Sequence, residues 1–424
     1  MIHSPVGRRG PAVVVGLPAG GLPGSRPGFA QVLAVVYVAS VPFDGLPLGA
    51  RSLPFLVGAA FLVVALVELF QRDPRFILPD PRAILALLAL VGFSVASYFW
   101  AVDPDRAAAQ VPTVLVLALT TVLLAGYLPA VWLPSLWAYC GCSAFLGLLV
   151  LLAPAGQFEY RRTASGNEDD VAALLVLASV IALYLALSST ADRAVLATGL
   201  LVVCSAGAVA TGSRSAVIAG CIGLTAMFLQ SMFRRRRGVV RIAVLLAVAG
   251  VAVIGMPRQF VPPRLGSIGN AIVDRELSGR DEIWTIILAR GIDPHGIGLA
   301  GTGRYLASIT GQAPVAHNSI LGILLELGLI GLFLFGAVVA VAVVRSRHCA
   351  FRPVLLPLGL ATGILSMSLT LEWRRCLWLA LAFALTPAAP AAVVAGRAGS
   401  PPAASPPVGS PRVRAVGSIT EELK

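Results

Sequence analysis

The sequence predicts an all-α integral membrane protein with about 12 transmembrane helices and one large external loop. Of the 424 residues, 57% are apolar, only 12% are charged, and the mean hydropathy is +0.87. A soluble domain carries roughly 25% charged residues, whereas a membrane-spanning helix needs about 20 consecutive apolar residues. The composition therefore excludes an ordinary soluble enzyme, a disordered chain and a nucleic-acid-binding domain.

Twelve apolar runs account for the predicted spans. They fall near 29–43, 53–70, 83–101, 107–127, 131–153, 171–188, 194–211, 215–233, 238–256, 317–344, 353–371 and 376–394. A Pro- and Gly-rich segment, 1–28, and a Pro- and Ser-rich tail, 395–424, flank the membrane domain 29–394, and both are expected to be disordered. Within that domain the stretch 257–315 is too polar to span, so we expect it to form the large loop.

The arginines predict the orientation in the membrane. Blocks such as Arg234–Arg237 follow apolar runs, and placing these blocks in the cytoplasm puts both termini there as well. The short loops then satisfy the positive-inside rule, with 19 basic residues inside and 13 outside, six of the latter in the loop 257–315. The same orientation places the most polar connections outside, where we expect any chemistry: Trp100–Arg106, 155–170, Thr211–Arg214, 257–315 and Glu372–Arg375.

His317 lies where the loop 257–315 returns to the membrane, in the segment AHNSILGILLELGLIG. A neutral imidazole at this boundary can take up a proton near physiological pH, so His317 is a candidate general base. The alternative is that His317, Asn318 and Ser319 only cap the tenth helix. Position alone leaves both interpretations open.

Arg214 and Arg280 are candidate phosphate-binding residues. Arg214 follows a turn at a helix start, where an arginine and free backbone N–H groups together suit an anion. The alternative for Arg214 is an anchor whose side chain reaches to the membrane surface. Arg280 lies in the segment SGRDEIW, and its guanidinium fork matches phosphate oxygens. The alternative for Arg280 is a surface ion pair with Asp281 or Glu276.

Several other motifs are interpreted as structural. Gly296–Gly301 matches GxGxxG, but no strand precedes it. Asp103–Asp105 matches the DxD pattern of metal-dependent sugar transferases, although turn chemistry at a helix end explains it better. The acids Glu168–Asp170 are expected to form a helix N-terminal cap. On a regular helix Glu326 faces away from His317, so we expect it to pair within the bundle.

The order of the motifs resembles that of the O-antigen ligase and O-antigen polymerase superfamily of membrane glycosyltransferases. The matching segments, in chain order, are SYFWAVDPDRA, SGNEDDVAALL, ATGSRSA, SGRDEIW, PHGIGLAGTG, AHNSILGILLELGLIG and EWRRCLW. One departure concerns the Asn-x-x-Ala turn usual before the sixth span, because here three acids follow Asn167.

The resemblance implies a GT-C-like fold and an inverting, metal-independent glycosyltransferase without a cofactor. The implied donor is a glycan on a polyprenyl diphosphate carrier. The implied acceptor is a hydroxyl of a lipid, wall or glycan at the outer face of the plasma (inner) membrane. Membrane lipid is the other expected partner, and no nucleic acid is expected. By motif position, His317 matches the base, and Arg214 and Arg280 match arginines that contact the diphosphate. Four further residues are expected to contact substrate: Arg161, Arg162, Asn318 and Arg375.

Two alternatives remain open at this point. The chain resembles polymerases as well as ligases, and a polymerase uses a second carrier-linked repeat unit as its acceptor. A solute transporter is the alternative from another class, and Glu326 within an apolar run is the main feature in its favour.

Overall fold

The structure is a computed structural model that describes residues 27–45, 47–48, 51–71, 73, 75–153, 167–234, 247, 250, 265, 280–290, 293–311, 316–347, 349 and 352–387. All of these residues belong to one compact unit, Ala19–Ala388. Residues 1–26, the tail 395–424 and most of the ninth apolar run, 238–256, lie outside the described residues. The expected disorder of both ends therefore stays a prediction.

The described chain is built almost entirely from α-helices. Their bounds are α1 Phe29–Ser40, α2 Leu53–Phe70, α3 Pro81–Ala96, α4 Pro104–Leu152, α5 Glu168–Ser188, α6 Ala191–Ala210, α7 Arg214–Arg234, α8 Arg280–Ala289, α9 Thr302–Thr310, α10 Ser319–Ser346, α11 Arg352–Ser366 and α12 Arg375–Leu385. Short 3-10 turns follow α1 and α3, and a two-residue antiparallel ladder pairs Pro47–Leu48 with Arg51–Ser52.

Seven of the described helices are long and apolar enough to cross a membrane, namely α2, α3 with its 3-10 extension, α4, α5, α6, α7 and α10. Helix α4 has 49 residues and a non-helical backbone at Val131, close to Pro129 and Pro134, so it covers two predicted spans. Helices α1, α11 and α12 are shorter apolar helices. Eleven of the twelve predicted runs coincide with helices, which confirms an all-α, multi-pass membrane protein.

Helix α5 lies at the centre of the bundle. Its membrane-spanning window is 89% buried, because α4, α6, α7 and α11 pack around it. The helix is apolar on all sides, as expected for one that faces protein rather than water. This packing leaves the amino end of α5, with its three acids, in the middle of the predicted external side.

Helix α10 is interrupted at Gly328, whose φ of 65° and ψ of −163° are not helical. The segment Asp293–Gly298 fills the break. The N–H groups of Leu329 and Ile330 donate to the carbonyls of Asp293 and Pro294. The N–H groups of Ile297 and Gly298 donate to the carbonyls of Leu325 and Glu326. The predicted run 317–344 is therefore one helix with a break after Leu327, while the stretch from Ser319 to Leu327 that contains Glu326 is helical.

Candidate active site

Asn318 caps α10, and His317 stands just outside that cap. The Asn318 side-chain oxygen accepts hydrogen bonds from the N–H groups of Ile320 and Leu321 at 3.0 and 3.1 Å. His317 has a φ of 49°, in the left-handed region that a non-glycine residue rarely occupies. Such strain, on the order of 1–3 kcal/mol, persists only where surrounding structure imposes it. Capping therefore accounts for Asn318 but not for the conformation of His317.

Two further contacts hold this turn in place. The Ser319 hydroxyl donates to the Leu369 carbonyl at 2.8 Å and accepts from the Leu371 N–H at 2.7 Å. On the other side, the Trp284 indole N–H donates to the Ala316 carbonyl at 2.9 Å. The start of α10 is thus fastened to α8 and to the segment between α11 and α12.

Arg280 is the first residue of α8, and its guanidinium bridges two other elements. One terminal nitrogen donates to the Ser368 carbonyl at 3.0 Å, and the other lies 3.8 Å from the Asp169 carboxylate at the start of α5. The expected pair with Asp281 is not among the contacts of the described residues, and Glu276 lies outside them. Because both partners are at helix ends on the same side, Arg280 joins α5, α8 and the end of α11.

His317 lies within electrostatic reach of the same pair. Burial is the main cause that lowers the pKa of His317, the Arg280 charge lowers it further, and the Asp169 carboxylate acts in the opposite direction. A lowered pKa keeps the imidazole neutral at neutral pH, which is the state that accepts a proton. We refer to His317, Arg280 and Asp169 together as the His317 site.

Arg214 is the first residue of α7, at the same level of the bundle. Gly220 of α7 lies against Val176 of α5, 3.6 Å from an added Cβ, and Gly223 likewise lies against Val180. The two helices therefore run in the same direction, and counting back six residues from Gly220 puts Arg214 level with Asp170. The turn before Arg214 contains Gly212, with a φ of 73°. Arg214 thus begins its helix within about one turn of the level of Asp169.

The acids in the first turn of α5 do more than stabilise its amino end. Asn167 is the N-cap residue, since its side-chain oxygen accepts from the Asp169 N–H at 2.9 Å. Asp169 then contacts Arg280, and Asp170 contacts Arg374 at 2.9 Å. The expected acidic cap is confirmed, and Asp169 and Asp170 also pair with different arginines, which the spacing of the acids did not predict.

Arg375 occupies a different position from the His317 site. Its guanidinium pairs with the Asp44 carboxylate and lies 3.4 Å from the Ser52 hydroxyl, between the ends of α1 and α2. A cavity of about 40 Å³ beside it is lined by Asp44, Asn167, Asp170 and Arg374, among others. That volume holds a few water molecules but not a sugar. Substrate contact by Arg375 and Asn318 stays a prediction, and Arg161 and Arg162 lie outside the described residues.

Two buried carboxylates lie beside the break in α10. Glu326 accepts a hydrogen bond from the Thr302 hydroxyl at 2.8 Å, and Glu372 lies against Gly322, one turn into α10. Each has one carboxylate oxygen that is buried and lacks a hydrogen-bond partner. Burial, and secondly the Glu326 carboxylate, raise the pKa of Glu372 to about 8. Glu326 therefore has a hydrogen-bond partner within the bundle, the Thr302 hydroxyl. Glu372 is a second carboxylate within its electrostatic reach.

The two discounted motifs have structural roles. Gly298, with a φ of 87°, lies so close to α3 and its extension that an added Cβ would be 2.4 Å from Ala101 Cα. Asp103 caps α4 by accepting from the Arg106 N–H at 3.3 Å, and its carboxylate also lies 3.9 Å from Arg304. The glycine motif therefore shapes a loop that packs on helices, and the acidic motif caps the start of α4.

Part of the chain is similar to a known protein family. Residues 199–336 match the O-antigen ligase family model. The match extends from α6 into α10 and contains Arg214, Arg280, the glycine-rich segment and His317. It confirms the resemblance to the O-antigen ligase and polymerase superfamily. The O-antigen ligase match supports a membrane glycosyltransferase-like role in polysaccharide assembly. None of the curated proteins compared with the chain matches it.

Proposed function

We propose that the protein transfers a glycan from a polyprenyl diphosphate carrier to an acceptor hydroxyl at the outer face of the plasma membrane. The supporting observation is the His317 site. A strained, electrically neutral histidine stands beside an arginine fixed between helix ends, and the O-antigen ligase match covers both residues.

The proposed chemistry needs one proton acceptor and one stabilised leaving group. His317 takes the proton from the acceptor hydroxyl as its oxygen attacks the anomeric carbon. The bond from that carbon to the diphosphate oxygen breaks on the opposite face, so the configuration inverts. The carrier leaves as a polyprenyl diphosphate, and His317 returns its proton to solvent.

The arginines stabilise the charge that grows on the departing diphosphate. Arg280 presents a guanidinium fork at the start of α8, and Arg214 adds a positive charge at the start of α7. Helix amino ends add favourable partial charge for an anion. These groups supply the stabilisation that metal-dependent transferases obtain from a cation.

Transfer from a synthetic polyprenyl-diphosphate oligosaccharide by purified protein tests the base. We expect His317→Ala to lower the rate by about 10²-fold or more. His295→Ala is the matched control, because His295 is exposed and its ring packs edge-on against Trp100 at 6.1 Å. A His317→Ala protein that transfers at the wild-type rate contradicts the assignment.

The same assay tests the arginines. Arg280→Ala and Arg214→Ala are each expected to lower the rate about 10²–10³-fold, because each removes stabilisation of the leaving group. Arg290→Ala is the control, since Arg290 follows the same helix but pairs with Asp293 at 3.3 Å. Equal losses in Arg290→Ala and Arg280→Ala would contradict a specific role for Arg280.

Labelling of intact cells tests the proposed orientation. In a Cys221→Ser background, which removes an exposed cysteine, Ser308→Cys lies on the predicted outside and Arg82→Cys on the predicted inside. A membrane-impermeant maleimide should label Ser308→Cys only. If only Arg82→Cys is labelled, the orientation in the membrane is opposite to the proposed one.

The rival functions differ in their products. A ladder of repeat units indicates a polymerase, and single transfer of a block indicates a ligase.

A solute transporter is the rival from another class, and transporters also contain interrupted helices. Here the main-chain groups of Asp293–Gly298 occupy both sides of the break in α10, which leaves fewer free backbone groups for a solute. Solute counterflow by purified protein in vesicles would favour a transporter.

A further inference from the structure

Asp169 is the member of the His317 site that lies on α5, the helix at the centre of the bundle. It is in the first turn of α5, its side chain is 8% exposed, and its carboxylate lies 3.8 Å from the Arg280 guanidinium. A buried carboxylate is expensive unless it is paired. Its location therefore reflects a partnership with the positive charges around it.

Arg280 and Asp169 act on His317 in opposite directions. The arginine disfavours a proton on the imidazole, and the carboxylate favours it. Before the donor binds, the two effects partly cancel because the two groups are paired with each other. A bound diphosphate offers Arg280 a stronger negative partner than one carboxylate. The influence of Asp169 on His317 is then no longer offset.

We propose that Asp169 is a positioning residue that couples donor binding to the general base. It holds the Arg280 guanidinium in place in the donor-free protein, and it stabilises the protonated imidazole once the diphosphate has engaged Arg280. The proposal rests on the proposed function. The proton still moves from the acceptor hydroxyl to His317, and Asp169 takes no part in that transfer.

Asp170 and Glu372 are carboxylates near Asp169 with which its role can be compared. Asp170 pairs with Arg374 at 2.9 Å, and successive helix residues point about 100° apart. Glu372 lies against Gly322 and not against His317. Among the described residues, the charged groups that act on the protonation of His317 are Arg280 from α8 and Asp169 from α5. Asp170→Asn is thus a matched control for Asp169→Asn.

The test is the pH dependence of transfer by purified full-length protein. In Asp169→Asn, the acidic limb of the kcat profile should move to lower pH by about half to one unit, because the imidazolium loses its stabilising charge. The limb of the kcat/KM profile should move in the same direction, because Asp169 also acts on His317 in the free enzyme. The kcat on the plateau should fall about 10-fold. Asp170→Asn should keep both limbs at the wild-type pH.

Three outcomes overturn the proposal. They are an unmoved kcat limb in Asp169→Asn, equal shifts in Asp169→Asn and Asp170→Asn, and a fall in kcat without a shift, which indicates a structural role only. Should Asp169→Asn fail to fold, Asp169→Glu provides the second test, because a restored charge should keep the limb near its wild-type pH. If the wild-type protein transfers no glycan, the proposed function fails. If it transfers glycan and Asp169→Asn keeps its profile, only the role of Asp169 fails.

Discussion

Glu372 makes the stability of the protein depend on pH. Its pKa is 4.5 in an unfolded chain and about 8 in the folded protein, where burial is the main cause and the Glu326 carboxylate adds to it. Between these values the folded protein binds more protons than the unfolded chain. The free energy of unfolding therefore falls as the pH rises from about 4.5, and it levels off above about 8.

The size of this effect follows from the shift. One pH unit corresponds to about 1.4 kcal/mol per proton, so raising the pH from 6 to 9 lowers the contribution of Glu372 by roughly 3 kcal/mol. A loss of that size lowers the melting temperature by several degrees, and by less in a large protein than in a small one. Glu372→Gln carries no ionisable proton and should lose this dependence.

Thermal unfolding in detergent, followed by tryptophan fluorescence, measures the effect. Trp378 is buried and donates to the Glu372 backbone carbonyl, so it reports on this region. The difference in melting temperature between pH 6 and pH 9 should be larger in the wild type than in Glu372→Gln. Glu282→Gln, at an exposed position, should behave as the wild type. The same difference in the wild type and Glu372→Gln refutes the reasoning.

Two pairs of glycine substitutions probe the packing. Gly298→Ala should destabilise the protein by more than about 2 kcal/mol, because the new methyl group meets Ala101 and the positive φ is strained. Gly311 also has a positive φ, 71°, but lies in open space, so Gly311→Ala should lower the free energy of unfolding by only about 1 kcal/mol. Gly207→Ala should separate α4 from α6, since its Cβ would lie 2.9 Å from Gly147 Cα, whereas Gly199→Ala meets nothing within 4 Å and should be neutral or stabilising. Melting temperatures of the four proteins check both pairs, and equal values within a pair contradict the packing argument.

The helices could be predicted from the sequence because apolar length is a direct physical requirement of a bilayer. The two prolines around Val131 indicate why α4 bends where two separate runs were expected. The break in α10 was missed, because Gly328 is one of several glycines in an apolar run and its partner, Asp293–Gly298, is distant in the chain. Hydropathy carries no information about which loop fills a helix break.

The candidate site also contains residues that could be predicted from the sequence and contacts that could not. His317 and Arg280 could be selected from their position and from the motif order, because arginine and histidine at a membrane boundary need a reason. Asp169 was interpreted only as a helix cap, since three consecutive acids before an apolar run fit that role well. Its contact with Arg280 joins residues 111 positions apart in the sequence, and pairing across that separation depends on how α5 and α8 pack. Similarly, nothing in the sequence assigned Arg374 to Asp170 and Arg375 to Asp44.

The splice of Asp293–Gly298 into α10 also bears on how such a protein can diversify. The hydrogen bonds that make the splice connect main-chain atoms, so most substitutions in the external loop leave them unchanged. The segment between α8 and α9 and the middle of α10 are thereby joined by main-chain hydrogen bonds, which add to the side-chain contacts of Trp284 and Thr302. Sequence elsewhere in the loop can then change without disturbing this splice. Only a few positions, such as Gly298 and Gly328, cannot vary, because their φ values are positive and a side chain has no room there.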